Sequence, residues 1–204
     1  MEYCSAHDCN RNKRYKGYCP RHYEQVRRTG RVLEVTKFDR RPAILQDDIA
    51  LIPLGVEAKD GHTVVDASDS WVDRYNWCRD KLHGYAVGYV DGRNTALHRL
   101  IASAPRGVQI DHRDTNKLNN RRSNLRFATF SRNAANTPLR STNTSGYKGV
   151  VRADGGFTAR MTYKRRSIYI GYYSTAEEAA AAYDRRATEL FGAYARTNRM
   201  LTSQ

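Results

Sequence analysis

The sequence predicts a modular α+β chain: a small metal-organised ribbon, a central two-strand hairpin closed by a helix, and a C-terminal three-stranded antiparallel sheet packed on one helix. Three observations carry this. Cys4, Cys9 and Cys19 crowd the N-terminus. Asp, His and Asn are dense over residues 109–136, where a helix or strand gains little from asparagine unless its side chain has local work. Beyond residue 146, period-two alternation gives way to a run with helical spacing.

The chain of 204 residues has a net charge of +14, unevenly spread. Residues 1–41 carry 11 basic and 5 acidic side chains, net +6, and residues 138–204 the same, whereas 42–137 carry 13 and 11, net +2. Basic flanks around a nearly neutral centre suit a polyanion gripped at both ends, and 14 tyrosines among the basic residues suit nucleic acid. A nucleic acid is the expected partner. MEYCSAHDCNRNKR has no apolar core and the longest apolar run, 49–56, is too short to span a bilayer, so a cytoplasmic protein without a membrane segment is expected.

Residues 1–30 are the first unit. Cys4, Cys9, Cys19 and His22 offer three thiolates and an imidazole, the count and softness of a closed tetrahedral Zn²⁺ site, with His7 as a competing ligand. Clustered thiols in a reducing compartment read as metal ligands rather than disulfides. Gly17 permits the turn before Cys19, and Pro20 opens a short helix through YEQVRR. So small a segment draws its folding energy from metal. Arg21, Arg27 and Arg28 are placed to meet phosphate.

Residues 31–83 read as a linker, RVLEVTKFDRRP, and then the N-terminal part of the central unit, with IALIPLG a buried strand. In DASDSWVDRYNWCRD, Asp69 or Ser70 is a suitable cap and Trp71, Tyr75 and Cys78 recur at helical spacing. This predicts a short amphipathic helix, with Trp71, Trp77 and a buried Cys78 thiol in the core. Residues 84–137 hold the centre. GYAVGYV, the turn DGRN and TALHRLIASAP predict a hairpin running into a short helix. His98, at that junction, is either a satisfied structural histidine or a group that supports the site or a phosphate.

VQIDH then predicts a strand ending at Asp111 and His112, RDTNKLNNRRS a polar loop, and NLRFATFSRNAANT a strand over 125–129 and a helix from about Ser131. That order lets Asp111 and His112 face Asn133. Carboxylate and amide oxygens suit a hard divalent cation, and imidazole titrates near neutrality. Asn116, Asn119 and Asn120 read as turn residues, and Arg113, Arg121, Arg122 and Arg126 lie near enough to reach a backbone phosphate. Over residues 97–136, LHRLIA, IDHRDTNKLNNRRSNLR and RNAAN resemble the HNH nuclease family, of ββα-metal fold, in its homing subgroup with Asn replacing the last His. The resemblance implies His112 as general base, Asp111 and Asn133 as ligands of one catalytic Mg²⁺ or Mn²⁺, and Asn124 as the lock that orients His112 through the loop. The N-terminal ribbon is similar to those heading some phage-encoded nucleases, which implies a phage or bacterial cytoplasm.

Residues 138–145 are a linker by composition, and 146–199 the last unit. YKGVVRADGGFTARMTYKRRSIYIGYYS predicts three strands, with Phe157, Ala159, Met161 and Tyr163 on one face of the second. Ser174 or Thr175 caps a helix with a capping-box glutamate, and Gly192 ends it. YKGV, IYIGYYSTAEEAAAAYDRRATELFG and ARTN resemble the plant ethylene-response-factor (Apetala-type) DNA-binding domain over residues 145–198. Phe157 and Tyr169 stand where that family has tryptophan, and Val151 where it has arginine, so its base preference does not carry over. Parity puts Lys148, Arg152, Arg160 and Tyr169 on the DNA face, and Lys164, Arg165 and Arg166 at a phosphate-facing turn. The whole reads as a site-specific DNA endonuclease that nicks one strand as a monomer. The alternatives are a DNA-binding regulator with a decayed nuclease core, and an HNH enzyme of repair or restriction.

Overall fold

Each unit forms around its own apolar cluster, and the central and C-terminal units then meet through both polar and apolar contacts. The computed structural model describes residues 3–6, 9, 12–32 and 41–201. His7 and residues 33–40 of the expected linker lie outside them. In the first unit, Cys4, Ala6 and Cys19 make a minimal core. Helix α1 (Pro20–Thr29) has proline in its first turn and closes on Gly30, whose left-handed backbone lets its N–H donate to Val26 O.

Two three-stranded antiparallel meanders build the front of the central unit. Strands β1 (Ile44–Gln46), β2 (Ile49–Pro53) and β3 (His62–Asp66) form one; β4 (Trp77–Arg79), β5 (Ala86–Val90) and β6 (Arg93–Ala96) form the other. Ile52, Leu54, Val65, Trp77, Leu97 and Ile101 join them in one core. The amphipathic helix expected between them is instead a short 3-10 segment, Ala67–Arg74, followed by β4. Trp77 on this strand is fully buried and its indole N–H donates to Val72 O at 2.9 Å. The strand's alternation then turns Cys78 outward, so its thiol is exposed rather than buried. Trp71 is partly exposed under Arg74 and is no core residue either.

Strand β6 runs into helix α2 (Leu97–Ile101), as the hairpin reading expects. Its Arg99 donates to Val108 O at 2.6 Å and Pro105 O at 2.7 Å, which shapes the connection into β7 (Gln109–His112). Strand β7 pairs antiparallel with β8 (Leu125–Ala128), placing Asp111 opposite Arg126 and His112 opposite Leu125. Helix α3 (Phe130–Ala135) follows, with Thr129 accepting from Arg132 N at its N-terminus.

The C-terminal unit is the expected sheet on a helix. Strands β9 (Val150–Ala153), β10 (Gly156–Tyr163) and β11 (Arg166–Tyr173) form it in the order β11-β10-β9, and α4 (Ala176–Phe191) covers one face behind a full Thr175–Glu178 capping box. Ala159, Met161, Ala179, Tyr183 and Phe191 fill the interface. Gly149 is required there: its φ is +75° and a Cβ would lie 2.1 Å from the Tyr183 ring. A short helix α5, Asn198–Leu201, ends the described chain, and no helix among the described residues is long and apolar enough to cross a membrane.

Two residues expected on the DNA face of this sheet are elsewhere. Lys148 donates through Nζ to Ala135 O and to Thr137 O, the latter at 2.8 Å, so it caps the C-terminus of α3. Burial, and then the Arg196 charge, bring its pKa down to about 8. Arg152 pairs across the strands with Phe157, whose ring packs on the helix-covered core, and its guanidinium lies 5.3 Å from that ring. Val151, opposite Thr158, takes the open-face position instead. For Arg152 the reason is register, which decides the face where sequence parity does not; Lys148 lies ahead of β9 and is drawn away by the end of α3.

The segment between the units is no free tether. Ala135 of α3 sits in the C-terminal core and its carbonyl also accepts from Arg196 N. Tyr194 donates its hydroxyl to Phe127 O at 2.9 Å, and Arg126 donates to Ala193 O at 2.6 Å.

Candidate active site

The site lies where β7, α3 and the loop 113–124 meet, around a cavity of about 470 Å³ whose walls include Tyr85, Asp111, His112, Lys117, Phe130 and Asn133. Asp111 and His112 are adjacent, and consecutive strand residues point to opposite faces. Both are buried all the same, because α3 covers one side and the front of the central unit the other.

Both oxygens of Asp111 are held. Arg126 donates to its Oδ2 at 2.7 Å, and Asn136 donates through Nδ2 to its Oδ1 at 2.9 Å and to His112 O at 2.8 Å. The Arg126 guanidinium also lies 4.0 Å from the Tyr194 ring centre. Asn133 lines the same cavity, but its amide N–H donates to Gln109 Oε1 at 3.2 Å rather than to Asp111. The amide oxygen, the atom a cation would take, is at the other end. Asn136 is thus a site residue that the sequence reading missed. Its proximity to Asp111 follows from α3 folding back along β7, a contact no local pattern announces.

His112 packs against Tyr85, ring centres 5.9 Å apart and planes inclined by 29°, and meets His98 edge to face at 5.2 Å. Its Nε2 is 3.1 Å from Asn120 Oδ1. Burial pushes its pKa below the usual histidine value, with the Asn120 contact and the Asp114 and Asp111 charges opposing. Burial thus favours the neutral imidazole, the form that can accept a proton. Asn120, expected to be a turn residue, is instead fully buried against the candidate base. Asn124 does lock the loop: its Nδ2 donates to Asp114 Oδ1 at 2.9 Å and Asn119 O at 2.7 Å, and its Oδ1 accepts from Asp114 N. It does not touch His112 among the contacts of the described residues, so the direct partner is Asn120 and Asn124 acts one step further out.

The arginines expected near phosphate divide. Arg121 donates to Asp66 and Asp48, and Arg122 to both Asp69 oxygens at 2.7 and 2.8 Å, so these two fasten the loop to the front of the unit. Arg126 serves Asp111, and Arg113 stays exposed.

The Cys4, Cys9, Cys19 and His22 ligand atoms lie within 4.8 Å of one another. Burial pushes the Cys4 thiol up, but the Cys19 and Ala6 N–H groups and the His22 ring outweigh it and bring it down to about 6. A thiol set toward thiolate beside an imidazole fits a soft tetrahedral cation. On α1, Arg27 and Arg28 are exposed and share Glu24, while Arg21 is half-buried.

The centre of the chain is thus a two-stranded hairpin closed by a helix, with an acid–histidine pair and an asparagine on one cavity. The family model described as HNH endonuclease matches residues 96–135. An uncharacterized HNH endonuclease, L560, of Acanthamoeba polyphaga mimivirus is 36% identical over 141 residues, covering 65% of this chain and 72% of the relative. No solved structure matches. The chain belongs to the HNH endonuclease family and is a nuclease.

His98 differs from the satisfied structural histidine considered above: it is buried, yet its Nδ1 has no hydrogen-bond partner among the described residues. Burial, then the neighbouring His112 and Arg99, hold its pKa down to about 3. The unfolded chain takes up this proton near the ordinary histidine value while the folded chain refuses it. Stability is therefore complete above that value and falls with pH below it, by up to about 1.4 kcal/mol per pH unit. Urea denaturation of His98→Phe, compared with wild type from neutrality down to about pH 5, should show a shallower loss; equal slopes would contradict the assignment.

Proposed function

We propose that the protein is a homing-type HNH endonuclease that hydrolyses phosphodiester bonds of double-stranded DNA with a divalent metal, nicking one strand as a monomer. The observation that carries this is Asp111, His112 and Asn133 on the wall of one cavity. His112 takes a proton from the water that attacks phosphorus. A carboxylate and a neutral amide oxygen are a hard donor set, suited to Mg²⁺ or Mn²⁺, and Asp111 and Asn133 would supply it. When bound, such a cation offsets the charge of the transition state and stabilises the leaving 3′ oxygen. Asp111 Oδ2 meets two nitrogens of Arg126, whereas Oδ1 accepts only from Asn136 among the described residues and keeps a lone pair that a cation could take. With one such centre among the described residues, one chain cuts one strand per binding event.

The Cys4, Cys9, Cys19 and His22 cluster is read as a structural zinc site that presents Arg27 and Arg28, with Arg21 beside them, to phosphate. The C-terminal unit is read as an ethylene-response-factor-like DNA reader. Its open face carries Arg160 opposite an exposed Tyr169, and its turn carries Lys164, Arg165 and Arg166. The relative comes from a giant virus, so the phage setting rests on the ribbon resemblance alone.

Plasmid cleavage with Mg²⁺ tests the catalytic reading. His112→Ala should lower the rate by about 10²- to 10⁴-fold, with nicked circles as the wild type's first product. Linear DNA as the first species would refute nicking by a monomer. A wild type that shifts DNA yet cuts none, over many sequences and metals, would favour the regulator.

The turn tests the reader. Lys164 and Arg165 have φ of 47° and 64°, the left-handed pair of a two-residue hairpin turn, where Asn-Gly costs less. Retaining two cations there costs stability and is explained by phosphate contact. The double variant Lys164→Asn/Arg165→Gly should stabilise the fold by about 1 kcal/mol while weakening DNA binding and lowering its salt slope by roughly 2. An unchanged slope would remove the turn from the interface.

A further inference from the structure

The tautomer of a buried histidine is set by the partner of each ring nitrogen, and here the chain of partners can be followed to a group with no freedom. Leu118 O is a carbonyl and can only accept. Thr63 Oγ1 lies 2.7 Å from it, so the Thr63 hydroxyl proton points there. Thr63 Oγ1 must then accept in its other contact, at 2.7 Å with the Asn120 side chain, which identifies that Asn120 atom as Nδ2. The same amide end faces a second acceptor, Lys117 O at 3.5 Å. The opposite end of Asn120 is therefore the oxygen, and it lies 3.1 Å from His112 Nε2. An amide oxygen cannot donate, so Nε2 carries the ring proton.

We propose that Thr63 and Asn120 are positioning residues for His112, holding it as the Nε2–H tautomer so that Nδ1 carries the lone pair that accepts the proton of the attacking water. Thr63 and Asn120 are both fully buried, so water does not compete for these hydrogen bonds. Thr63 sits on β3, outside the segment matched by the family model, and β3 and the loop are joined by Val64 N donating to Leu118 O and Asn120 N to Val64 O. The front of the central unit thus sets the proton state of the candidate base. The neighbouring rings add no competing donor at Nε2: Tyr85 stacks on His112, and His98 meets it edge-on.

The inference rests on the reading of His112 as general base, and the two fail separately. The test is long-range ¹H–¹⁵N correlation of the histidine rings in the full-length ¹⁵N-labelled protein, in mildly alkaline buffer without added Mg²⁺, with His112 assigned by its absence from His112→Ala. The wild type should show Nε2 protonated and Nδ1 bare. Thr63→Val, which removes the hydroxyl at near-constant volume, should give a mixture of tautomers and lower kcat by about ten- to a hundredfold with KM nearly unchanged. Thr63→Ser should restore both. A wild-type His112 protonated on Nδ1, or a Thr63→Val protein with unaltered ring signals and kcat, would overturn the proposal. The wild-type spectrum decides the tautomer even if Thr63→Val fails to fold. Should His112→Ala still cleave, the general-base reading falls while the tautomer assignment stands.

Discussion

The structure depends on how the loop 113–124 is satisfied. It carries asparagines, aspartate, lysine and arginines but little apolar surface, and it passes beside a buried histidine. Polar groups taken from water cost free energy unless each finds a partner. The front of the central unit provides them. Asp66 accepts from Arg121 and from the backbone N–H of Arg122, Asp69 from the Arg122 side chain, and Thr63 from Asn120. Asn124 and Asp114 tie the loop to itself. The two meanders ahead of the matched family segment are thus the wall against which the active-site loop is cast, and their negative charge explains why the basic loop leaves the centre of the chain nearly neutral.

On its other side the centre is braced by the C-terminal unit. Arg126 links three things: the Asp111 carboxylate, the Ala193 carbonyl and the face of the Tyr194 ring. Lys148 and Arg196 fix the end of α3, whose Ala135 is part of the C-terminal core. A unit held this way keeps a set distance and angle to the cavity, which the proposed DNA reader needs and a flexible tether would not give. Joined modules gain from effective concentration, and rigid joining adds register to that gain.

Much of this was legible in the chain. The strand–loop–strand–helix order around Asp111 and His112 follows from a polar loop between two short apolar runs, and the C-terminal sheet and capped helix follow from a clean change of period. The cysteine and histidine spacing gave four residues that the fold does bring together. What the sequence hid is tertiary. Trp77 reads as part of a helix because Trp71, Tyr75 and Cys78 recur at helical spacing, but its burial between two sheets makes the local backbone a strand and turns Cys78 outward. Lys148 looks like any surface lysine until the end of α3 arrives beside it. Asn120 is indistinguishable in sequence from Asn116 and Asn119; only contact with Thr63, 57 residues away, separates it from a turn residue. Single residues whose role comes from a partner distant in sequence carry no local signal.

In the proposed site Asp111 and Asn133 would hold a divalent cation beside His112. The most direct measurement is anomalous scattering from a crystal of the full chain with a duplex and Mn²⁺. One manganese peak between the Asp111 carboxylate and the Asn133 amide oxygen, absent from crystals of Asp111→Ala, is the expected result. Manganese located elsewhere, or a peak that survives the loss of Asp111, would contradict the account.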